Sequence, residues 1–198
     1  MLDLGCGVGE HIAILQDEHS FQVTGMDKDP GVIAEGKKRH PGLDLILGDL
    51  SRPPEGLWEV LLCLGNSLSS LSSGSDWKHI FSKWRASTGL GGRCRIQWMV
   101  PARLPVEHRM VKSQGIKTLV TILKREGETC QLTSSVYAEG IQGPELEEEH
   151  VEELLCLEPE QVIDGLFEAG WREIRQLPGE QTNYAKTYII EATNRRAT

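Results

Sequence analysis

The sequence has no Cys-x-x-Cys pair, no long basic run and no apolar stretch long enough to cross a bilayer. Each absence removes a class of function. The five cysteines, Cys6, Cys63, Cys94, Cys130 and Cys156, stand apart and the six histidines are scattered, so no zinc site and no other metal is expected. An odd, unpaired set of thiols points to a reducing compartment. No charged leader precedes an apolar segment, and no run of 18 apolar residues occurs, so a cytoplasmic protein without a membrane partner is expected. Basic residues are outnumbered, 21 Lys and Arg against 29 Asp and Glu, for a net charge of −8. Phosphate contacts need clustered cations, so a nucleic-acid partner is not expected. The short runs at 36–40 (GKKRH) and 194–196 (NRR) read as a solvated helix and tail. Aromatics make up only 6% and do not interleave with basic residues, which argues against a base-stacking surface. Internal repeats and low-complexity segments are also absent.

What is present is an ordinary globular composition, 39% hydrophobic and 25% charged over 198 residues, enough for one domain with a sizeable core. Residues 1–4 read as a short buried strand, 5–9 as a turn and 10–19 as a helix with Ile12 and Leu15 inward. A strand over 21–26 ends at Asp27. Asp29 and Pro30 then open a helix as N-cap and first helical residue, and Pro41-Gly42 stops it near His40. A third strand covers 43–48. A fourth, 58–65, is apolar on both faces and therefore central and parallel. Trp77, Ile80, Phe81 and Trp84 form a helical stripe within 75–86, capped by Ser75. Residues 89–92 (GLGG) read as a turn before a fifth strand at 93–100. Strands alternating with helices predict a doubly wound α/β fold, Rossmann-like, with right-handed crossovers.

After residue 100 the alternation breaks. Runs at 116–125 and 129–138 predict an antiparallel hairpin, and 150–156 a third strand, with helix as the alternative for the acidic segment 144–157. A helix over 158–170, with Val162, Ile163, Leu166 and Phe167 inward, precedes closing strands at 171–177 and 186–193. The expected organisation is a single domain, 1–198. A cofactor half spans 1–100, a β-rich insert about 101–157 lies over the substrate pocket, and 158–198 close a mostly parallel seven-strand sheet.

The opening MLDLGCGVGE raises the question of the ligand. A strand, glycine turn and helix form a nucleotide-like cradle. A dinucleotide site wants a third glycine where Glu10 stands, which argues against a nicotinamide oxidoreductase. Asp3, just before Gly5, Gly7 and Gly9, would repel a pyrophosphate and attract a cation. S-adenosylmethionine carries two cationic centres, an ammonium and a sulfonium, and its size suits a bare turn. Asp27, 22 residues after Gly5, stands where ribose hydroxyls are bound, and Asp49 where an adenine amino group can donate. All three acids fall at carboxyl ends of neighbouring strands, where open α/β sheets bind ligands.

The segments LDLGCGVGEH, GMDKDP, LGDL and LCLGNSLSSL resemble the class I S-adenosylmethionine-dependent methyltransferases. The last of them, with the insert, is similar to the glycine/sarcosine N-methyltransferase-like small-molecule branch. The resemblance implies that Asp3 and the Gly5, Gly7 and Gly9 turn hold the methionine end, with His11 near its carboxylate. It gives the ribose to Asp27 beside Lys28, and the adenine to Asp49 and the backbone of Leu50. It sets Leu64, Gly65 and Asn66 against the ammonium and sulfonium, with Ser67 adjacent. Arg103, Arg109 and Tyr137 are candidate acceptor contacts; His108 and His150 are weighed as bases beside Tyr137, and no catalytic residue is assigned. A small-molecule acceptor, with nitrogen as the receiving atom, is the expected partner; a non-catalytic cofactor-binding remnant is the alternative. Val100-Pro101-Ala102 stands where the branch often has Asn-Tyr-Asp, which removes polar groups near the acceptor. The family's helices before the first strand have no counterpart here, so either the fold begins abruptly or the chain is a fragment. An open site with weak cofactor binding is expected.

Overall fold

The computed structural model describes residues 1–71, 77–101, 107–126, 129–140, 143–182 and 185–196. Its main sheet has seven strands in the order β10-β11-β5-β4-β1-β2-β3. These are β1 (Leu2–Leu4), β2 (Thr24–Asp27), β3 (Asp44–Leu47), β4 (Trp58–Cys63), β5 (Thr88–Pro101), β10 (Arg172–Leu177) and β11 (Ala185–Thr193). β3, β2, β1, β4 and β5 are parallel, and β11 and β10 are added antiparallel. This is the Rossmann-like doubly wound arrangement that the alternation of strands and helices predicts.

Among the described residues four α-helices cover the sheet: α1 (Glu10–His19), α2 (Pro30–Arg39), α3 (Trp77–Ala86) and α4 (Pro159–Glu168). The apolar side chains form two separate main clusters. The larger contains Leu2, Leu4, Phe81, Trp84, Trp98 and Trp171, and the smaller gathers Cys6, Ile12, Val23, Ile33 and Leu45 beside α1 and α2. Three buried tryptophans hold the larger cluster in register, because each indole N–H finds a backbone carbonyl. Trp84 donates to Leu50 at 2.7 Å, Trp98 to Leu157 at 2.8 Å and Trp171 to Phe81 at 3.0 Å. The bond from Trp84 pins the loop after β3 to α3. α2 starts as expected, with Asp29 Oδ1 accepting the N–H groups of Gly31 and Val32.

The insert forms a second sheet of four antiparallel strands, β6 (Glu107–Gln114), β7 (Lys117–Glu126), β8 (Thr129–Gly140) and β9 (Gly143–Leu155), in sequence order. Arg125 ties it to the main body, donating to the Pro101 carbonyl at 3.0 Å and to Glu158 at 2.9 Å.

Several expectations are corrected. Residues 89–92 are not a turn but the start of β5, since Gly91 N–H donates to Asn194 O and Asn194 N–H to Gly92 O. β6 has no strong strand signal in its sequence and forms because β7 presents a full ladder to it. The acidic segment is strand from Gly143 onward, longer than the 150–156 expected, and carries its glutamates along an outer edge. Phe167 faces solvent, 61% exposed, rather than the core. Cys130 and Cys156 are not isolated thiols; a disulfide joins them at the base of the second sheet. Their separation of 26 residues hides in the sequence what the β8–β9 pairing brings together. Ser75 and Arg103 lie outside the described residues. No helix among the described residues is long and apolar enough to cross a membrane.

Candidate functional site

The site is built from the carboxyl ends of β1, β2, β3 and β4. Leu2 and Leu4 enter the larger cluster, so strand alternation sends Asp3 to the other side of β1. Asp3 is buried, 1% exposed, and neither carboxylate oxygen has a hydrogen-bond partner. Burial first, and the Asp27 carboxylate second, push its pKa up to about 7. Asp3 in turn adds to the burial that pushes the Cys6 thiol up to about 12 and raises Cys63.

After β1 the chain turns through Gly5, Gly7 and Gly9, all with positive φ (76°, 58° and 88°). Gly5 has no alternative there: a Cβ would collide with the Ser67 side chain. Gly9 is the left-handed N-cap of α1. The turn is anchored to β2, since the N–H groups of Gly5 and Cys6 both donate to the Met26 carbonyl and Gly7 N–H donates to Asp27 Oδ2 at 2.9 Å. Asp27 Oδ1 accepts the N–H of Asp29 at 3.0 Å. Asp27 thus fixes the glycine turn against the start of α2 while each of its oxygens keeps a lone pair for a further donor.

A narrow cleft of about 60 Å³ opens here, lined by Gly5, Asp27, Lys28, Gly48, Leu50, Ser67 and Ser70. Asp49 sits between two lining residues, exposed, with Oδ1 accepting Ser51 N–H at 2.7 Å. That bond, with Lys28 and Arg52 nearby, outweighs partial burial and lowers its pKa. On the far wall the turn after β4 is stapled twice. Ser67 Oγ lies 2.9 Å from Gly5 O and 2.8 Å from Leu64 O. Asn66, with φ of 73°, accepts at Oδ1 from the Met99 N–H and the Ser69 hydroxyl, both at 3.0 Å. The Ser67 hydroxyl is therefore engaged with the scaffold rather than presented to an acceptor.

Gln97 on β5 is a residue that sequence reading missed: its Oε1 accepts the Gly65 N–H at 3.3 Å. Its only signal is a polar position that continues the alternation of Arg93 and Arg95 along β5. His11 is exposed in the first turn of α1, about 4.0 Å from where a Gly65 Cβ would stand. It lines a larger apolar cavity of about 490 Å³ with Leu64, Leu62, Phe21 and Ile14. Arg109 lies on β6 and Tyr137 on β8, and neither lines the cleft.

The chemistry of this arrangement is a buried, unpartnered carboxylate beside bare backbone, with two further acids along the strand ends. It suits a nucleoside that brings its own positive charge. Among the described residues no group of three or more His, Cys, Asp or Glu is disposed to hold a metal ion.

Residues 1–92 match the family model described as a methyltransferase domain. The search of curated proteins gives no significant match. A structure of an S-adenosylmethionine-bound amino pentose methyltransferase from Micromonospora echinaspora, involved in calicheamicin biosynthesis, superposes with a TM-score of 0.78 at 21% identity, covering 98% of this chain and 82% of that one. A sugar N-methyltransferase from Streptoalloteichus gives 0.78 at 19% identity, with 98% and 79% covered. A glycopeptide N-methyltransferase complexed with S-adenosylhomocysteine gives 0.68 at 18% identity, with 97% and 80% covered. The first 92 residues therefore carry a methyltransferase-domain signature, on a fold shared with these enzymes over nearly the whole chain.

Proposed function

We propose that the chain transfers a methyl group from S-adenosylmethionine to a small-molecule acceptor, with an amine nitrogen as nucleophile. The observation that carries the reading is Asp3. A carboxylate that is 1% exposed and has no partner costs several kcal/mol unless a cation or donor arrives. A nicotinamide dinucleotide would bring its pyrophosphate to the same glycine turn and be repelled.

When bound, S-adenosylmethionine supplies a methyl carbon already activated by its sulfonium. Asp3 and the turn of Gly5, Gly7 and Gly9 would hold the cationic amino-acid end, with His11 close to its carboxylate. Asp27, with Lys28 beside it, would accept the ribose hydroxyls on its remaining lone pairs. Asp49 and the Leu50 N–H would read the adenine edge, and Trp84 keeps Leu50 in place. Ser67 and Gln97 fix the Leu64–Gly65 backbone and Asn66 ties the same turn to Met99, so that this backbone would face the donor. No nucleophilic side chain is needed. Alignment of a neutral amine alone can contribute roughly 7–11 kcal/mol toward the barrier.

The names of the structural neighbours, sugar and glycopeptide N-methyltransferases, support an amine acceptor. The glycine/sarcosine-like branch is supported mainly by Leu64, Gly65, Asn66 and Ser67, together with the β-rich insert. Position 100 is Val and 101 Pro, so a free amino acid would find few polar partners there.

Titration calorimetry with S-adenosylhomocysteine and with NAD tests the cofactor class, and tritium transfer from methyl-labelled donor to pooled small amines tests turnover. Binding of the former alone is expected, with Asp3→Ala weakening it by about tenfold or more through loss of a charge-assisted bond. Binding of NAD in its place would refute the reading.

A further inference from the structure

β4 leaves the sheet abruptly. Its pairing with β5 ends with Cys63 opposite Ile96. Leu64 to Ser67 then form a tight turn, closed by the Ser67 N–H on the Leu64 carbonyl at 3.2 Å. Gly65 and Asn66, its two central residues, both have positive φ, 62° and 73°, the pattern of a type I′ turn. The Gly65 N–H lies beyond the last pairing with β5 and meets a side chain instead, Gln97 Oε1 at 3.3 Å. A donor must meet an oxygen, so the orientation of the Gln97 amide follows from this bond.

Strand alternation puts Gln97 there. Cys94, Ile96 and Trp98 enter the larger cluster, so Arg93, Arg95 and Gln97 point to the other face of β5. An arginine at 97 would continue that series, but it carries only donors and could not accept the Gly65 N–H. The Leu64–Gly65 peptide is thus held at both ends, its oxygen by the Ser67 N–H and hydroxyl and its N–H by Gln97. One residue on, Asn66 Oδ1 takes the Met99 N–H and the Asn66 carbonyl takes the Ser69 N–H, both at 3.0 Å. These bonds leave the Gly65 carbonyl as the oxygen that the exposed residue can offer.

We propose that Gln97 is a positioning residue for the methyl donor, acting through Gly65 to set the polarity of this wall of the site. The inference rests on the reading of the site as one for S-adenosylmethionine. By occupying the Gly65 N–H, Gln97 leaves the turn only an acceptor to present, and an acceptor suits the ammonium of the ligand's amino-acid end. A bare N–H in its place would turn the positive end of a dipole toward that ammonium. The two charges of the amino-acid end are sorted in this way. The carboxylate falls to the first turn of α1, whose N–H groups lack intrahelical partners and favour an anion. His11 of that turn stands 4.0 Å from where a Gly65 Cβ would be, and the ammonium falls to the Gly65 side.

Titration calorimetry of the full chain with two thioether nucleosides tests this. S-adenosylhomocysteine has the amino-acid end, and 5′-methylthioadenosine lacks it. Gln97→Met keeps the length of the side chain and removes the acceptor. It should weaken S-adenosylhomocysteine by about tenfold, the scale of one hydrogen bond, and leave 5′-methylthioadenosine unchanged. Gln97→Glu returns an acceptor oxygen and should bind S-adenosylhomocysteine at least as tightly as the wild type. Equal weakening of both ligands in Gln97→Met would make Gln97 a support of the fold at large and overturn the proposal. So would full binding of S-adenosylhomocysteine by Gln97→Met, or a Gln97→Glu as weak as Gln97→Met. A wild type that binds neither nucleoside overturns the cofactor reading itself, and the role of Gln97 with it.

Discussion

At the scale of single residues, Asp3 sets a conflict between stability and binding. Its pKa rises from an ordinary 3.8 to about 7 because burial penalises the charged form and Asp27 adds repulsion. A carboxyl whose folded pKa lies above its unfolded value binds more protons in the native state. Its contribution to stability is therefore complete below pH 3.8, declines as pH rises, and is fully lost above about pH 7. At about 1.4 kcal/mol per unit the decline amounts to a few kcal/mol. Asp3→Asn should flatten this limb. Urea titrations at pH 4, 5.5 and 7.5 are expected to show wild-type stability falling relative to the variant over that range. The same substitution should weaken binding of S-adenosylhomocysteine. Equal pH profiles for the two proteins would mean that Asp3 does not titrate in this window. Asp3 is easy to pick out in the sequence because it precedes three spaced glycines. Its isolation inside the fold is not, since that depends on Leu62 and Gly25 standing beside it in register.

At the scale of elements, legibility follows how locally each segment is determined. α1 and α2 emerge where periodicity, capping and Pro41-Gly42 place them, because those signals act within one turn of helix. The ends of β1 to β4 are equally readable, and with them the acids and glycines of the cleft. β6 is not, and β9 is legible only in its last residues, because the strand character of the rest comes from neighbours rather than from composition; nine residues of 144–155 would sit comfortably in a helix. Gly89 to Gly92 mislead in the same way, since bonds to Asn194, about a hundred residues later, make them strand. The Cys130–Cys156 disulfide belongs to this class of long-range facts, and it carries a prediction. Closing a loop of 26 residues restricts the unfolded chain by about 3.5 kcal/mol. At roughly 2–4 °C per kcal/mol for a chain of this size, reduction should lower the melting temperature by about 7–14 °C. Calorimetry with and without a phosphine reductant measures this. Cys130→Ser should show the lower value in both conditions, and a reductant-insensitive wild type would mean that the two thiols are not joined.

For the molecule as a whole, the two faces of the main sheet are covered unequally. Three buried tryptophans, α3 and α4 close one face with a continuous core. On the other, α1 and α2 gather a small cluster beside β1 to β3, and the sheet beyond it forms a wall of the 490 Å³ cavity. Val60, Leu62 and Leu64 of β4 and its end line that cavity with Phe21, while Arg93 and Arg95 stand at its margin near Glu191. Arg95 and Arg175 both bond Glu191, at 2.7 and 2.9 Å, so Glu191 is neutralised and the margin is net positive. An apolar hollow with a cationic rim is the surface that an anilinonaphthalene sulfonate prefers. The folded protein should enhance the fluorescence of that dye at neutral pH without any loss of structure. Phe21→Asp should reduce the enhancement severalfold, because it places a charge where the rings would stack and repels the sulfonate. Asp3→Asn should leave it unchanged, since Asp3 is buried beneath the glycine turn and does not line the hollow. His11 and Leu64 lie between the hollow and the cleft, so saturation with S-adenosylhomocysteine should alter the dye signal in the wild type. A signal that persists in Phe21→Asp and ignores the nucleoside would place the dye elsewhere and separate the two cavities in function.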